Sequence, residues 1–99
     1  MSRKSLWTPE AEDAFHAILA YLQVEWDGLV AEAFATDVYE TIALLEVFPY
    51  CGVGELPEKV IRSIPVARQV RLFYRVAEDA IIVLELVDTR SERLQAMRM

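Results

Sequence analysis

Two stretches decide how this chain folds: Arg68-Gln69-Val70-Arg71-Leu72-Phe73-Tyr74-Arg75-Val76 and Ala80-Ile81-Ile82-Val83-Leu84-Glu85-Leu86-Val87-Asp88. Both alternate with a period of two, the signature of strands with one buried face. In the first, Val70, Leu72, Tyr74 and Val76 share one side, and Gln69, Arg71, Phe73 and Arg75 the other. In the second, Ile82, Leu84 and Leu86 oppose Val83, Glu85 and Val87. Both apolar faces lie on one side of a sheet if Leu72 pairs with Leu86 and Tyr74 with Leu84. That register implies a three-residue connection, Glu78-Asp79-Ala80, because a slip of one residue turns a strand inside out. It also sets Arg71 opposite Val87, Phe73 opposite Glu85 and Arg75 opposite Val83 on the face turned away from the core. A shorter strand, Val60 to Val66, precedes them, with Pro65 placing it at an edge or a strand end. Tyr50 to Glu58, with Gly52, Gly54 and Pro57, reads as a loop.

Upstream the period changes to that of a helix. A short lead, Ser5-Leu6-Trp7, runs into Thr8-Pro9-Glu10, where threonine caps, proline takes the first helical position and acids occupy the first turn. Ala11, Ala14, Phe15, Ile18, Leu19 and Leu22 form one apolar stripe. Asp27 caps a second helix whose stripe is Ala31, Phe34, Ala35, Val38, Ile42 and Leu45, ending at Phe48-Pro49. Two amphipathic helices joined by a few residues fold back as a hairpin. The fold class is therefore α+β: an N-terminal strand and an α-helical hairpin packed on a small antiparallel β-sheet, in the order β-α-α-β-β-β. Residues 1–99 read as a single domain, with Ser91 to Met99 a short helical or flexible tail. Trp7 and Trp26 flank the first helix and are expected to close the ends of the core.

Composition bounds the function. At 99 residues and 55% hydrophobic the chain can bury one core and is not disordered. A single cysteine, Cys51, excludes an internal disulfide and a cysteine-based zinc site, and reads as a free thiol with no activating neighbour. No apolar run approaches the roughly 20 residues that span a bilayer, and the Met1 to Trp7 opening does not continue as a signal peptide. A cytoplasmic protein without membrane, metal or cofactor is expected. The net charge of −6 is unevenly spread. From Ser5 to Glu58 there are eleven acids and no Lys or Arg; from Lys59 to Met99 eight basic residues face five acids, a local balance of +3. A polarised chain of this kind can offer one basic face to a phosphate backbone.

Several segments together resemble the RelE/ParE superfamily of bacterial type II toxins. They are Trp7-Thr8-Pro9-Glu10-Ala11, the second helix ending in Phe48-Pro49 with a glycine soon after, and Arg62-Ser63-Ile64-Pro65-Val66. Arg71-Leu72-Phe73-Tyr74-Arg75-Val76 and the strand from Ile81 to Arg90 complete the set. The likeness covers roughly residues 5–90. It implies a helical hairpin against a sheet, a cognate antitoxin as partner, and one of two activities: poisoning of DNA gyrase, or cleavage of mRNA in the ribosome.

The residues weigh between the branches. RNA cleavage without a metal needs a base, an acid and cations on the phosphate. Arg71 and Arg90 match arginines of the nuclease pattern, but Ile64 and Ala96 stand where that pattern has lysine and tyrosine. The one imidazole, His16, lies on the first helix, away from the sheet face. The Trp-Thr-Pro-Glu opening, Arg-Ser-Ile-Pro-Val and Phe-Tyr-Arg resemble the gyrase-poisoning, ParE-like branch, whose mechanism is binding. A non-toxic member that keeps only antitoxin binding is a further alternative. The candidates for target or phosphate binding are Arg62, Arg71, Phe73, Arg75 and Arg90. The four arginines have plainer readings: Arg71 or Arg75 pairs with Glu85 across the strands, Arg62 protects an edge strand, and Arg90 is an ordinary charged strand end. The Pro65 strand or the N-terminal segment leaves an open sheet edge where an antitoxin could dock, by adding a strand or by laying a helix into the groove beside the hairpin.

Overall fold

The computed structural model describes residues 3–55 and 60–88. Its elements are β1 (Lys4–Trp7), α1 (Pro9–Glu25), α2 (Gly28–Val47), β2 (Val53–Gly54), β3 (Ile61–Ala67), β4 (Val70–Val76) and β5 (Ala80–Asp88). They form one five-stranded sheet in the order β1-β5-β4-β3-β2, covered on one side by the helical hairpin. The helices begin where their caps demand. Thr8 Oγ1 accepts from the Ala11 N–H at 3.1 Å, with Pro9 following, and Asp27 Oδ1 accepts from the Val30 N–H at 3.0 Å.

The sheet is mixed rather than wholly antiparallel. β1 lies parallel to β5, with Trp7 beside Val83, because the chain leaves β1 directly into α1 and returns to the sheet at its far edge. The segment read as a loop contributes β2, which pairs Val53 with Ser63 and Gly54 with Arg62. The sheet therefore ends in β1 on one side and this two-residue strand on the other. Pro65 lies beyond the reach of β2, where β3 needs no donor on that side.

Both predicted helix stripes face the sheet. Ala11, Phe15, Phe34, Val38, Ile42 and Leu45 pack with Leu72, Tyr74, Ile81, Val83 and Leu86, flanked by Ala14, Ile18, Leu19, Leu22 and Ala35. The inward face of β5 differs from expectation. Leu72 sits opposite Leu86 and Phe73 opposite Glu85, as anticipated, but Tyr74 then pairs with Val83 and Arg75 with Ile82. Leu84 is left over in a β-bulge, so Ile81 and Val83 are fully buried instead of Ile82 and Leu84. The cause is the turn. Ala77 N–H donates to Ala80 O at 2.8 Å, leaving only Glu78 and Asp79 between the paired residues.

Trp7 is half-buried, its ring edge-on to Phe15 at 5.3 Å. Trp26 does not close the core as expected: it is 63% exposed, because it follows the last turn of α1 at the tip of the hairpin.

One buried polar contact ties β4 to the segment after α2. The Tyr74 hydroxyl donates to Pro49 O at 2.8 Å and accepts from Gly52 N–H at 3.0 Å. Position 52 has to be glycine, since a Cβ there would come within 2.5 Å of the Tyr74 hydroxyl and 2.8 Å of Ser63 O. Burial raises the Tyr74 pKa above the ordinary phenol value, against the opposing hydrogen bond from Gly52. Tyr74→Phe strands two buried backbone groups and should cost about 1–3 kcal/mol in urea unfolding. Because the folded-state pKa is raised, this residue's contribution is intact below about pH 10 and is lost as the pH climbs through the folded value. The alkaline loss of stability attributable to residue 74 should vanish in Tyr74→Phe, and equal alkaline slopes in the two proteins would contradict it.

Candidate functional site

The side of the sheet away from the helices is built from cross-strand neighbours. Arg71 stands between Pro65 and Val87, Phe73 between Ser63 and Glu85, and Arg75 between Ile61 and Ile82. Strand alternation thus brings three of the five candidates, Arg71, Phe73 and Arg75, onto one open face. Arg71 and Phe73 are half-buried and Arg75 is exposed.

Arg71 is held from beneath. Its Nε donates to Ser63 Oγ at 2.9 Å, and the Ser63 hydroxyl donates to Glu55 Oε2 at 2.9 Å. Ser63 is completely buried, so this relay runs under the surface and fixes the guanidinium by its Nε. Among the described residues the terminal nitrogens of Arg71 have no partner, and Arg75 has none at all. The cross-strand pair with Glu85 does not form. Glu85 sits opposite Phe73, and its Oε1 accepts from the Leu86 N–H at 3.2 Å.

Arg62 does not extend this face. It lies opposite Tyr74, on the helix side of the sheet, because it is one residue out of step with Ser63. Its Nη1 donates to Gly52 O at 2.8 Å and Tyr50 O at 3.3 Å, and its guanidinium lies 5.0 Å from the centre of the Tyr50 ring. Arg3 approaches the same ring at 6.0 Å while donating to Ala77 O. Arg62 therefore braces the segment after α2. Arg90, Ala96 and the 91–99 tail lie outside the described residues.

Sequence reasoning missed Ser63 and Glu55. A small polar residue in an apolar strand, one strand from an arginine of the same face, was the available signal for Ser63. Glu55 carried none, since its position depends on β2 forming.

This face can bind. Guanidinium groups flanking an aromatic ring suit oxyanions and stacked planar groups. Arginine does not exchange protons near neutral pH; Glu85 lies beside Phe73 and Lys4 at the β1 edge of the same side, and among the described residues the face has no imidazole or phenol. Ile64 is turned toward the core and packs against it.

A helical hairpin on one side of a small mixed sheet is the fold of RelE- and ParE-type toxins. The family model for the ParE toxin of the type II toxin–antitoxin system parDE matches residues 6–93, and the chain belongs to that family. Solved structures agree on the fold. A chromosomal ParDE toxin–antitoxin system from P. aeruginosa superposes with a TM-score of 0.73 at 21% identity, covering 88% of this chain and 96% of that one. The RelBE2 toxin–antitoxin complex from Mycobacterium tuberculosis gives 0.62 at 15% identity, over 89% and 99%. A YoeB/ParE toxin from Agrobacterium tumefaciens gives 0.61 at 17%, over 84% and 94%. No curated protein resembles the chain closely enough in sequence to count as a match.

Ser63→Ala removes the acceptor of Arg71 Nε and the donor to Glu55 together. It should destabilise the fold by about 1.5–3 kcal/mol, the range for hydrogen bonds to charged groups. Urea titration checks this, and a loss below about 0.5 kcal/mol would show the relay to be slack.

Proposed function

We propose that this ParE-family chain is a toxin that binds DNA gyrase, holding the enzyme on its cleaved DNA, and that a cognate antitoxin silences it in the cytoplasm. The observation that carries the reading is the open face itself. It presents Arg71, Phe73 and Arg75, with Arg71 pre-set by Ser63, and among the described residues it carries the Glu85 carboxylate beside Phe73 but no imidazole or phenol. Such a face supports recognition of a phosphate-bearing or acidic surface. RNA cleavage with Arg71 and Arg90 would need a base and an acid together; Glu85 offers one carboxylate, and Ile64, packed against the core, supplies no second group. Membership of the parDE toxin family supports the toxin role. Similar folds in a ParDE system and in a RelBE2 toxin–antitoxin complex support an antitoxin partner. No helix among the described residues is long and apolar enough to cross a membrane.

The test is supercoiling by purified gyrase. The protein should inhibit it and accumulate cleaved DNA, and Arg71→Ala or Arg75→Ala should each weaken inhibition by about tenfold, the effect of losing one charge-assisted contact. Undisturbed supercoiling, together with message cleavage in a translating extract, would overturn the gyrase reading in favour of the ribosome.

A further inference from the structure

The other side of the molecule holds a second feature that the open sheet face does not use. Between the first half of α1 and the middle of α2 lies a concavity of about 300 Å³, lined by Trp7, Glu12, Phe15, His16 and Tyr39. Its rings are arranged around Phe15, which is only 6% exposed and forms the floor. Trp7 stands edge-on to that ring at 5.3 Å and 61°, and Tyr39 at 5.8 Å and 69°. Tyr39 is 58% exposed, and Glu12 and His16 are exposed on adjacent turns of α1. Two rings stand as walls on a third, with the Glu12 carboxylate and the His16 imidazole at the rim, the latter 5.9 Å from the Phe15 ring.

The charge of the surroundings is unusual. The two helices that wall it, α1 and α2, carry eight Asp and Glu and no Lys or Arg, with His16 their one imidazole. Among the described residues the Glu12 side chain has no hydrogen bond or ion pair. A negative rim over aromatic faces attracts cations, because the ring quadrupoles and the carboxylate act in the same direction. A planar guanidinium suits it best, since it can stack on a ring and pair with a carboxylate at once.

We propose that the Trp7–Phe15–Tyr39 concavity, with Glu12 at its rim, is a receptor for an arginine side chain presented by a protein partner. It is a site separate from the arginine-bearing sheet face and does not depend on gyrase being the target. It also predicts a partner segment that is basic where it meets the hairpin.

The probe is N-acetyl-L-arginine amide, which carries the side-chain charge without terminal charges. Binding is followed at the Trp7 indole N–H by NMR, with the exposed Trp26 indole as internal reference and Trp26→Phe assigning the two. A saturable shift at Trp7 and none at Trp26 is expected. Glu12→Gln and Tyr39→Leu, both at exposed positions that the core does not need, should each weaken binding about threefold or more, the effect of losing one exposed cation–ring or ion-pair contact. Three results would overturn the proposal: no shift at Trp7, equal binding of the uncharged N-acetyl-L-citrulline amide, or unaltered affinity in both variants. Tighter binding of free L-arginine than of the amide would overturn its assignment to a peptide-borne side chain. Each readout is made without gyrase or antitoxin, so its failure is distinct from failure of the toxin reading.

Discussion

A single unpaired residue in β5 governs this structure. The turn between β4 and β5 closes with only Glu78 and Asp79 between Ala77 and Ala80. Continued without interruption, that register would set Glu85 opposite Leu72, facing the helices, and Leu86 opposite Arg71, facing out. An unpaired carboxylate in an apolar core costs several kcal/mol, and the displaced leucine forfeits its own burial. The bulge at Leu84 removes the conflict. Below it Ile81 and Val83 enter the core; above it Leu86 does so, and Glu85 stays beside Phe73. The cap of α1 is built on the same irregularity. The Thr8 N–H donates to Val83 O, and the Thr8 hydroxyl lies 3.1 Å from both Val83 O and Leu84 O. The bulge, the start of the hairpin and the edge strand β1 are thus one unit.

From that unit follows a molecule with two chemically opposite sides. The hairpin carries acids and no Lys or Arg, together with a ring-lined concavity. The far side of the sheet carries Arg71 and Arg75 around Phe73. The net charge of −6 conceals this division. The Glu55–Ser63–Arg71 relay adds order on the sheet side: the guanidinium is oriented by a buried hydroxyl instead of being neutralised at the surface by a direct carboxylate.

Much of this was legible in the sequence because it rests on local rules. Thr8-Pro9 and Asp27 mark the helix starts through their own backbone chemistry, and the two stripes follow from a period of 3.6. Strand alternation in β4 placed Arg71, Phe73 and Arg75 together. What escaped reading depends on contacts distant in the chain. A three-residue connection and a two-residue turn with a bulge both place Leu86 inward, and nothing in Ala80 to Asp88 distinguishes them. Arg62 and Ser63 exchange faces with a shift of one residue, so the strand could be found while the side of its arginine was not. Glu55 became a partner of Ser63 only once β2 paired, a two-residue event without a propensity signal.

Interstrand nuclear Overhauser contacts report the register of β4 against β5 directly, and with it the position of the bulge. Contacts joining Tyr74 to Val83 and Arg75 to Ile82, alongside Phe73 to Glu85, are the predicted result. Contacts joining Tyr74 to Leu84 and Arg75 to Val83 would mean an unbulged strand, and would contradict both the buried face of β5 and the way Thr8 anchors the hairpin to it.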